Sequence, residues 1–132
     1  MVIDGQGGGL GKQIVATLKA TMPQEIITAV GTNSVATTAM LKAGADHAAT
    51  GENAVLVGCR KVDVIIGPIG IVIADSLFGE ITSNIAVAIG QSVAKKLLIP
   101  VNLCDNIVVG VSDLSVHKLI QGAVEEVRKM QL

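Results

Sequence analysis

The residues best suited to chemistry in this sequence form a glycine-rich stretch near its beginning. Residues 4–12 read Asp-Gly-Gln-Gly-Gly-Gly-Leu-Gly-Lys, with five glycines in seven consecutive positions. A glycine turn between a strand and a helix lets the backbone approach a phosphate group closely and points helix N-terminal amides at it. We therefore expect a phosphate-binding turn. Its candidate ligand-binding residues are Gly5, Gln6, Gly7, Gly8, Gly9, Leu10 and Gly11.

The spacing of these glycines favours one type of phosphate site. A strict GxGxxG motif that begins at Gly5 would need glycine where Leu10 stands, whereas GxxxGxG fits through Gly5, Gly9 and Gly11. This variant resembles the turn of short-chain dehydrogenase-type Rossmann domains. The spacing therefore predicts a nucleotide-binding protein whose ligand is a dinucleotide, NAD or NADP.

Two other interpretations of the turn stay open. Residues 8–12 also resemble the core of a P-loop, although Gln6 replaces the first glycine of that motif and Gln13 replaces its magnesium-binding hydroxyl. The turn could equally be a tight structural connection. The matching functions are a P-loop-like phosphate binder and a non-enzymatic sensor or scaffold subunit that binds no dinucleotide.

Polar and glycine residues at other predicted strand ends are expected to border the ligand. After the second strand, an NAD site commonly has a carboxylate for the ribose, and an NADP site has an arginine. Here Thr32 and Asn33 follow that strand, so the two cofactors cannot be distinguished. Both side chains can hydrogen-bond a ribose or phosphate, or cap the next helix. The same rim is expected to hold residues 67–70, with Gly67 and Pro68 as binding candidates, and Asn102, Asp105 and Asn106.

Carboxylates offer weaker candidates for catalysis. Asp75 and Glu80 could act as a pair in acid–base or metal chemistry, although helix capping or solvent exposure explains them as simply. Asp4 ends the first strand, where it could act on a ligand or hold the glycine turn. Because the chain has no tyrosine, the YxxxK pair of short-chain dehydrogenases cannot exist, and whether the chain is an enzyme stays open.

Metal and thiol chemistry is not indicated by the remaining residues. His47 and His117 have no metal-binding spacing with each other or with a cysteine, so no metal site is expected. Cys59 and Cys104 are interpreted as small buried apolar residues. Cys104 is the better nucleophile candidate of the two because it follows a predicted strand.

Strand-like and helix-like segments alternate along the chain. The predicted strands are residues 1–3, 25–30, 46–49, 62–66, 97–101 and 107–111. The predicted helices are residues 10–22, a segment from the capping candidates 32–34 to Gly44, a segment from the cap Thr50 to Val57, a segment from Ser83 onward, and 116–130 with Asp113 or Ser115 as its cap.

The strands are continuous apolar runs, which is typical of strands buried on both faces. We therefore predict an α/β fold: a three-layer, doubly wound Rossmann-like domain with a mostly parallel five- or six-stranded sheet in the order 3-2-1-4-5. Residues 1–132 are expected to form this single domain. In that order the winding reverses between the first and fourth strands, where such folds bind ligands.

Composition excludes several classes of protein. Ten basic and 11 acidic side chains give a net charge of −1, without the basic excess that binding to nucleic acid requires. The longest uncharged apolar run, residues 64–74, is shorter than the about 20 residues that a bilayer requires, so no membrane partner is expected. Because no signal-peptide or redox-cysteine pattern is present, we expect a cytoplasmic location.

Over essentially its whole length the sequence resembles a small bacterial family described as a domain of unknown function. The resemblance is carried by residues 4–12, 66–70 (Ile-Gly-Pro-Ile-Gly), 75–77, 79–82 and 99–102 (Ile-Pro-Val-Asn). It implies a stand-alone Rossmann-like domain and supplies no catalytic residues.

One uncharged segment suggests self-association. Residues 81–94 carry no charge, and five consecutive apolar residues, 85–89, surround the predicted helix. A surface helix of a monomer would show a polar face. We expect a homodimer, or a tetramer built from dimers, with this helix and Ile85 in the interface. Alternatively, residues 69–77 cover the helix within one chain.

Overall fold

The structure, a computed structural model, describes residues 1–101 and 105–130 of the 132-residue chain. Strands and helices alternate throughout. The strands are β1 (Val2–Asp4), β2 (Thr28–Gly31), β3 (His47–Thr50), β4 (Val64–Pro68) and β5 (Lys95–Ile99). The helices are α1 (Gly9–Thr21), α2 (Ser34–Lys42), α3 (Glu52–Gly58), α4 (Ser83–Gln91) and α5 (Val116–Lys129), and a short 3₁₀ helix, Ile69–Val72, follows β4.

The five strands form one parallel sheet in the order β3-β2-β1-β4-β5. In the central strand β1, Val2 pairs with Ala29 of β2 and with Ile66 of β4. The predicted strand order and the three-layer, Rossmann-like α/β architecture are confirmed. Because the winding reverses between β1 and β4, the carboxyl ends of these strands border the usual ligand-binding edge of such a sheet.

Helices cover both faces of the sheet because alternate strand residues point to opposite sides. Along β4, Val64 and Ile66 pack into one apolar cluster, and Ile65 packs into the other. Helices α1, α2 and α5 contribute to the first cluster, whereas α3 and α4 contribute to the second. The central strand β1 therefore lies between two apolar cores, with Val2 in the first and Ile3 in the second.

The sixth predicted strand, residues 107–111, is wrong. These residues form an exposed loop, with the Ile107 side chain 88% exposed and that of Val109 91% exposed. Gly110 adopts a left-handed conformation within it. None of the five strands in the described part of the chain pairs with this segment, and an apolar run without ladder hydrogen bonds does not form a strand.

Other strand boundaries shift by a few residues. β2 begins at Thr28 instead of residue 25, because Ile26 is exposed and the Ile27 amide donates to the Asp46 carboxylate at 2.7 Å. β5 spans residues 95–99 instead of 97–101, and β4 continues to Pro68. β3 is an edge strand with mostly exposed residues, so burial on both faces does not hold for every strand.

The helix caps match the sequence in part. The Asn33 side chain accepts the Ala36 amide at the start of α2, and Ser115 is the cap of α5. Thr50 does not cap α3: its hydroxyl shares a hydrogen bond with that of Thr37, and Gly51 is the N-cap.

Helix α4 packs one face against the core of its own chain and exposes the other. Ile81, Ile85 and Ile89 are at most 1% exposed and pack in the second apolar cluster. The assignment of Ile85 to an interface is therefore wrong, because residues of its own chain cover it. Within the described ranges, no helix combines the length and the apolar content that crossing a bilayer requires.

Candidate functional site

The glycine-rich turn connects the carboxyl end of β1 to the start of α1. Gly8, the N-cap of α1, has a φ of 75°, a left-handed conformation that glycine adopts without strain. A Cβ on Gly8 would also lie 2.7 Å from the Cα of Ala36 in α2. Gly8 is therefore required both by the bend of the chain and by the close approach of α2.

A buried carboxylate, that of Asp4, hydrogen-bonds both ends of the turn. Asp4 is 5% exposed, and its two oxygens accept the Gly5 amide at 2.8 Å and the Gly11 amide at 2.7 Å. Gly11 is the third residue of α1, so Asp4 satisfies one of the free amides of the helix N-terminus. Burial raises the pKa of Asp4; the two amide hydrogen bonds oppose this shift, and the nearby charge of Glu80 adds to it.

Three amides of the turn remain open toward the outside. The amides of Gly5, Gln6, Gly8 and Gly11 donate within the protein. Those of Gly7, Gly9 and Leu10 donate to no group in residues 1–101 or 105–130. A Cβ on Gly7 or Gly9 would meet no atom within 4 Å. The turn thus offers three unsatisfied donors at the positive end of α1, on the exposed Gly7 and Gly9 and the half-buried Leu10.

A second carboxylate lies between the ends of β1 and β2. Glu80 Oε1 accepts the Gln6 amide at 3.0 Å, the Thr32 hydroxyl at 2.6 Å and the Asn33 side-chain amide at 2.7 Å. Burial acts to raise the pKa of Glu80, but these three hydrogen bonds outweigh it and hold the pKa below its ordinary value. Glu80 is therefore an anion at neutral pH, built into the site by the connection between β4 and α4.

The predicted residues of the second and fourth strand ends lie at this same edge of the sheet. Thr32 and Asn33 both contact Glu80, and Asn33 also donates to the Gln6 carbonyl at 2.9 Å. Gly67 and Pro68 end β4, where a Cβ on Gly67 would lie 2.4 Å from the carbonyl oxygen of Ile3. Close packing of β4 on β1 therefore explains why position 67 is a glycine.

The other candidates do not form a shared site. Asp75 is exposed with a φ of 67°, and the Glu80 carboxylate bonds to other elements. His47 lies exposed on β3 and His117 exposed on α5, and the described residues contain no group of three potential metal ligands. Burial raises the pKa of the Cys59 thiol, consistent with an inert apolar role. Asp105 and Asn106 are exposed, whereas Asn102 and Cys104 lie outside the described residues.

Sequence reasoning named Glu80 as a candidate but missed that its connection packs against the glycine-rich turn. Leu77 and Phe78 both have a φ of 55°, which is rare for bulky residues. Leu77 is buried against the turn, 3.1 Å from where a Cβ of Gly5 would lie, whereas Phe78 is 98% exposed. Phe78 is the only aromatic residue of the chain, but the sequence gives no sign of the left-handed backbone at this position.

Two hollows of the molecule are lined by none of the three residues with open amides. One is at the opposite, amino-terminal edge of the sheet, and its lining includes Met1, Glu25 and Lys61. The other is a groove between α1 and α2, whose lining includes Lys12 and Ser34. The first is remote from the carboxyl ends of the strands, whereas the groove begins next to the glycine-rich turn.

The chain belongs to the family described as Domain of unknown function (DUF3842), which it matches over residues 1–131. The whole-length resemblance to a family described as a domain of unknown function is therefore confirmed. No curated protein and no solved structure matches the chain.

Proposed function

We propose that the chain is a nucleotide-binding protein that holds phosphate oxygens on the amides of Gly7, Gly9 and Leu10. The observation that carries this proposal is that some amides of the turn are hydrogen-bonded within the protein and others are not. Asp4 and Glu80 fix four bonds around the turn, while these three amides stay unsatisfied at the N-terminus of a 13-residue helix. Free backbone donors and the helix dipole together favour an anion at this N-terminus.

The position of the turn favours a dinucleotide of the NAD(P) type. A pyrophosphate on the open amides would lie over β1, where the winding of the sheet reverses toward β4. One nucleoside would then extend toward Thr32 and Asn33 at the end of β2, and the other toward Gly67 and Pro68 at the end of β4. The GxxxGxG spacing supports the same class of ligand.

Calorimetric titration of the purified chain with NAD, NADP, ATP and coenzyme A tests the proposal. We expect NAD or NADP to bind more tightly than millimolar, and Gly9→Val to weaken binding about ten- to a hundredfold by blocking the phosphate. Gly90→Val is the matched control, since a Cβ on this exposed glycine in the last turn of α4 also meets open space.

Failure of all four nucleotides to bind a folded wild-type chain would refute a nucleotide-binding function and leave a sensor or scaffold subunit as the better hypothesis. A ligand retained through purification would be easy to detect by absorbance, because the chain has neither Trp nor Tyr. Mass spectrometry would then identify it.

We also propose that the protein is cytoplasmic and forms a homo-oligomer. On α4 and directly after it, the exposed large apolar side chains are Val87, 53% exposed, and Val93, fully exposed. Light scattering on a size-exclusion column is expected to give the mass of a dimer or tetramer. Val87→Glu should reduce that mass, whereas Ile85→Glu should unfold the chain, and a clean monomer mass for the wild type would refute self-association.

A further inference from the structure

The end of β2 lacks a carboxylate in sequence but has one in space. In NAD sites an acidic residue at this point accepts hydrogen bonds from the adenosine ribose. Here the Glu80 side chain reaches that point from the connection between β4 and α4, and it contacts Thr32 and Asn33 directly after β2. We infer that Glu80 is the ribose-recognition residue of the site and selects a free 2′-hydroxyl over a 2′-phosphate, hence NAD over NADP; this rests on the proposed function.

The hydrogen bonds around Glu80 leave it able to accept from a ligand. Its Oε1 atom accepts three donors, whereas Oε2 accepts only the Gln6 amide at 3.2 Å. Since each oxygen of an ionised carboxylate has about two acceptor sites, Oε2 retains capacity for a hydroxyl. The side chain is half-buried, so that capacity is reachable from solvent.

Charge makes the same residue unfavourable for a 2′-phosphate. All three donors to Glu80 are neutral groups, and no ion pair in the described ranges includes it. Its negative charge is therefore uncompensated by a neighbouring cation. A phosphate placed against it would be repelled, whereas a ribose hydroxyl would donate to it.

Glu80 does not act as a plug, that is, a carboxylate that occupies the phosphate-binding amides in place of a ligand. Among the turn amides it accepts only that of Gln6, and the open amides of Gly7, Gly9 and Leu10 make no bond to it. Phosphate binding and ribose recognition can therefore operate side by side. A plug would instead compete with every phosphate ligand.

The test is calorimetric titration of wild type, Glu80→Gln and the control Asp75→Asn with NAD and NADP. We expect wild type to prefer NAD about tenfold or more, and Glu80→Gln to lose about ten- to a hundredfold in NAD affinity so that the preference collapses. The exposed Asp75 lies in the same connection, so its variant should keep the wild-type preference. If Glu80→Gln does not fold, wild type alone should bind 5′-AMP more tightly than adenosine 2′,5′-bisphosphate.

The outcomes separate the two proposals. An unchanged NAD-to-NADP ratio in a folded Glu80→Gln variant that still binds NAD would overturn the inference and leave the proposed function standing. Tighter binding of both cofactors and of inorganic phosphate by this variant would identify Glu80 as a plug and also overturn it. Absence of binding by wild type would refute the proposed function itself.

Discussion

At the scale of single residues, the glycine-rich turn combines amides that the protein satisfies with amides that it leaves open. Asp4 satisfies the amides at both ends of the turn, those of Gly5 and Gly11, while Glu80 accepts the amide of Gln6 and the Gly5 carbonyl that of Gly8. Glycine at position 11 is part of this arrangement, since a Cβ there would lie 2.8 Å from the Cβ of Asp4. The turn is thus shaped before any ligand arrives, which lowers the entropic cost of binding.

Replacement of Asp4 by Asn is expected to lower the free energy of unfolding by about 1–3 kcal/mol. The Asn side chain can accept only one of the two amides, and its NH₂ group faces the other donor in a buried site. Urea denaturation followed by circular dichroism measures the change. Asp75→Asn, an exposed change at a left-handed position that suits Asn, should stay within about 0.5 kcal/mol, and equal stability of the two variants would contradict the role of Asp4.

The turn residues could be predicted from sequence because their chemistry is contiguous along the chain. Residues 5–11 carry their own signature in glycine spacing, and Thr32 and Asn33 follow a recognisable strand. Glu80 could not be placed in the same way, since 74 residues separate it from Gln6 and only the fold brings them together. Its partner in sequence, Asp75, suggested a pair that the structure does not use.

At the scale of elements, the connection between β4 and α4 acts as a support for the site. Leu77 anchors it under Gly5, Glu80 binds beside the turn, and Thr82 caps α4 by accepting the Ile85 amide. Left-handed residues in this connection cost energy and persist only where surrounding contacts enforce them. The elements that hold this connection are therefore part of the site.

Truncation of Leu77 to Ala is expected to cost about 2–5 kcal/mol, because it removes a buried side chain that is 3% exposed. It should also loosen Glu80, so that hydrogen exchange of the Gln6 amide accelerates more than exchange in the central strand β1. Phe78→Ala is the neighbouring control, expected to change stability by less than about 0.5 kcal/mol. Protection of Gln6 that falls only in step with β1 would argue against a local support.

The positions of the strands show why the apolar pattern of the sequence alone did not predict every strand and its ends. The apolar runs at residues 64–68 and 107–111 look alike in sequence, but only the first lies between two strands that complete its hydrogen bonds. Pairing also moved β5 earlier, since Lys95 and Lys96 lie opposite Val64 and Ile65. Strand order followed correctly from the handedness of the crossovers, which depends on topology more than on exact ends.

At the scale of the whole molecule, Asp46 and Asp4 are expected to change the free energy of unfolding with pH in opposite directions. Hydrogen bonds from the Ile27 amide and Lys19 lower the pKa of Asp46 below its ordinary value of 3.8. Asp46 therefore stabilises the folded chain above pH 3.8, and this stabilisation is lost as the pH falls through the lowered pKa of the folded state. Burial raises the pKa of Asp4. Its contribution to the free energy of unfolding is therefore present below pH 3.8 and is lost as the pH rises through the raised pKa of the folded state.

Urea denaturation across the acid range separates these contributions. Asp46→Asn should flatten the loss of stability below pH 3.8, and Asp4→Asn should make stability rise more with pH just above it. Glu80, whose pKa is also lowered, should behave like Asp46 and lose its contribution below its ordinary value of 4.5. Two variants with parallel pH profiles would contradict the assigned shifts.

The most direct test of the central claim is a titration of the nitrogen-15-labelled chain with NAD, followed by amide resonances. The account predicts that the largest saturable shifts occur at Gly7, Gly9 and Leu10, the amides that lack an internal acceptor. The amides of Gly5 and Gly11, which Asp4 already holds, should shift less. Shifts confined to other parts of the chain, or none up to millimolar NAD, would contradict a phosphate site on this turn.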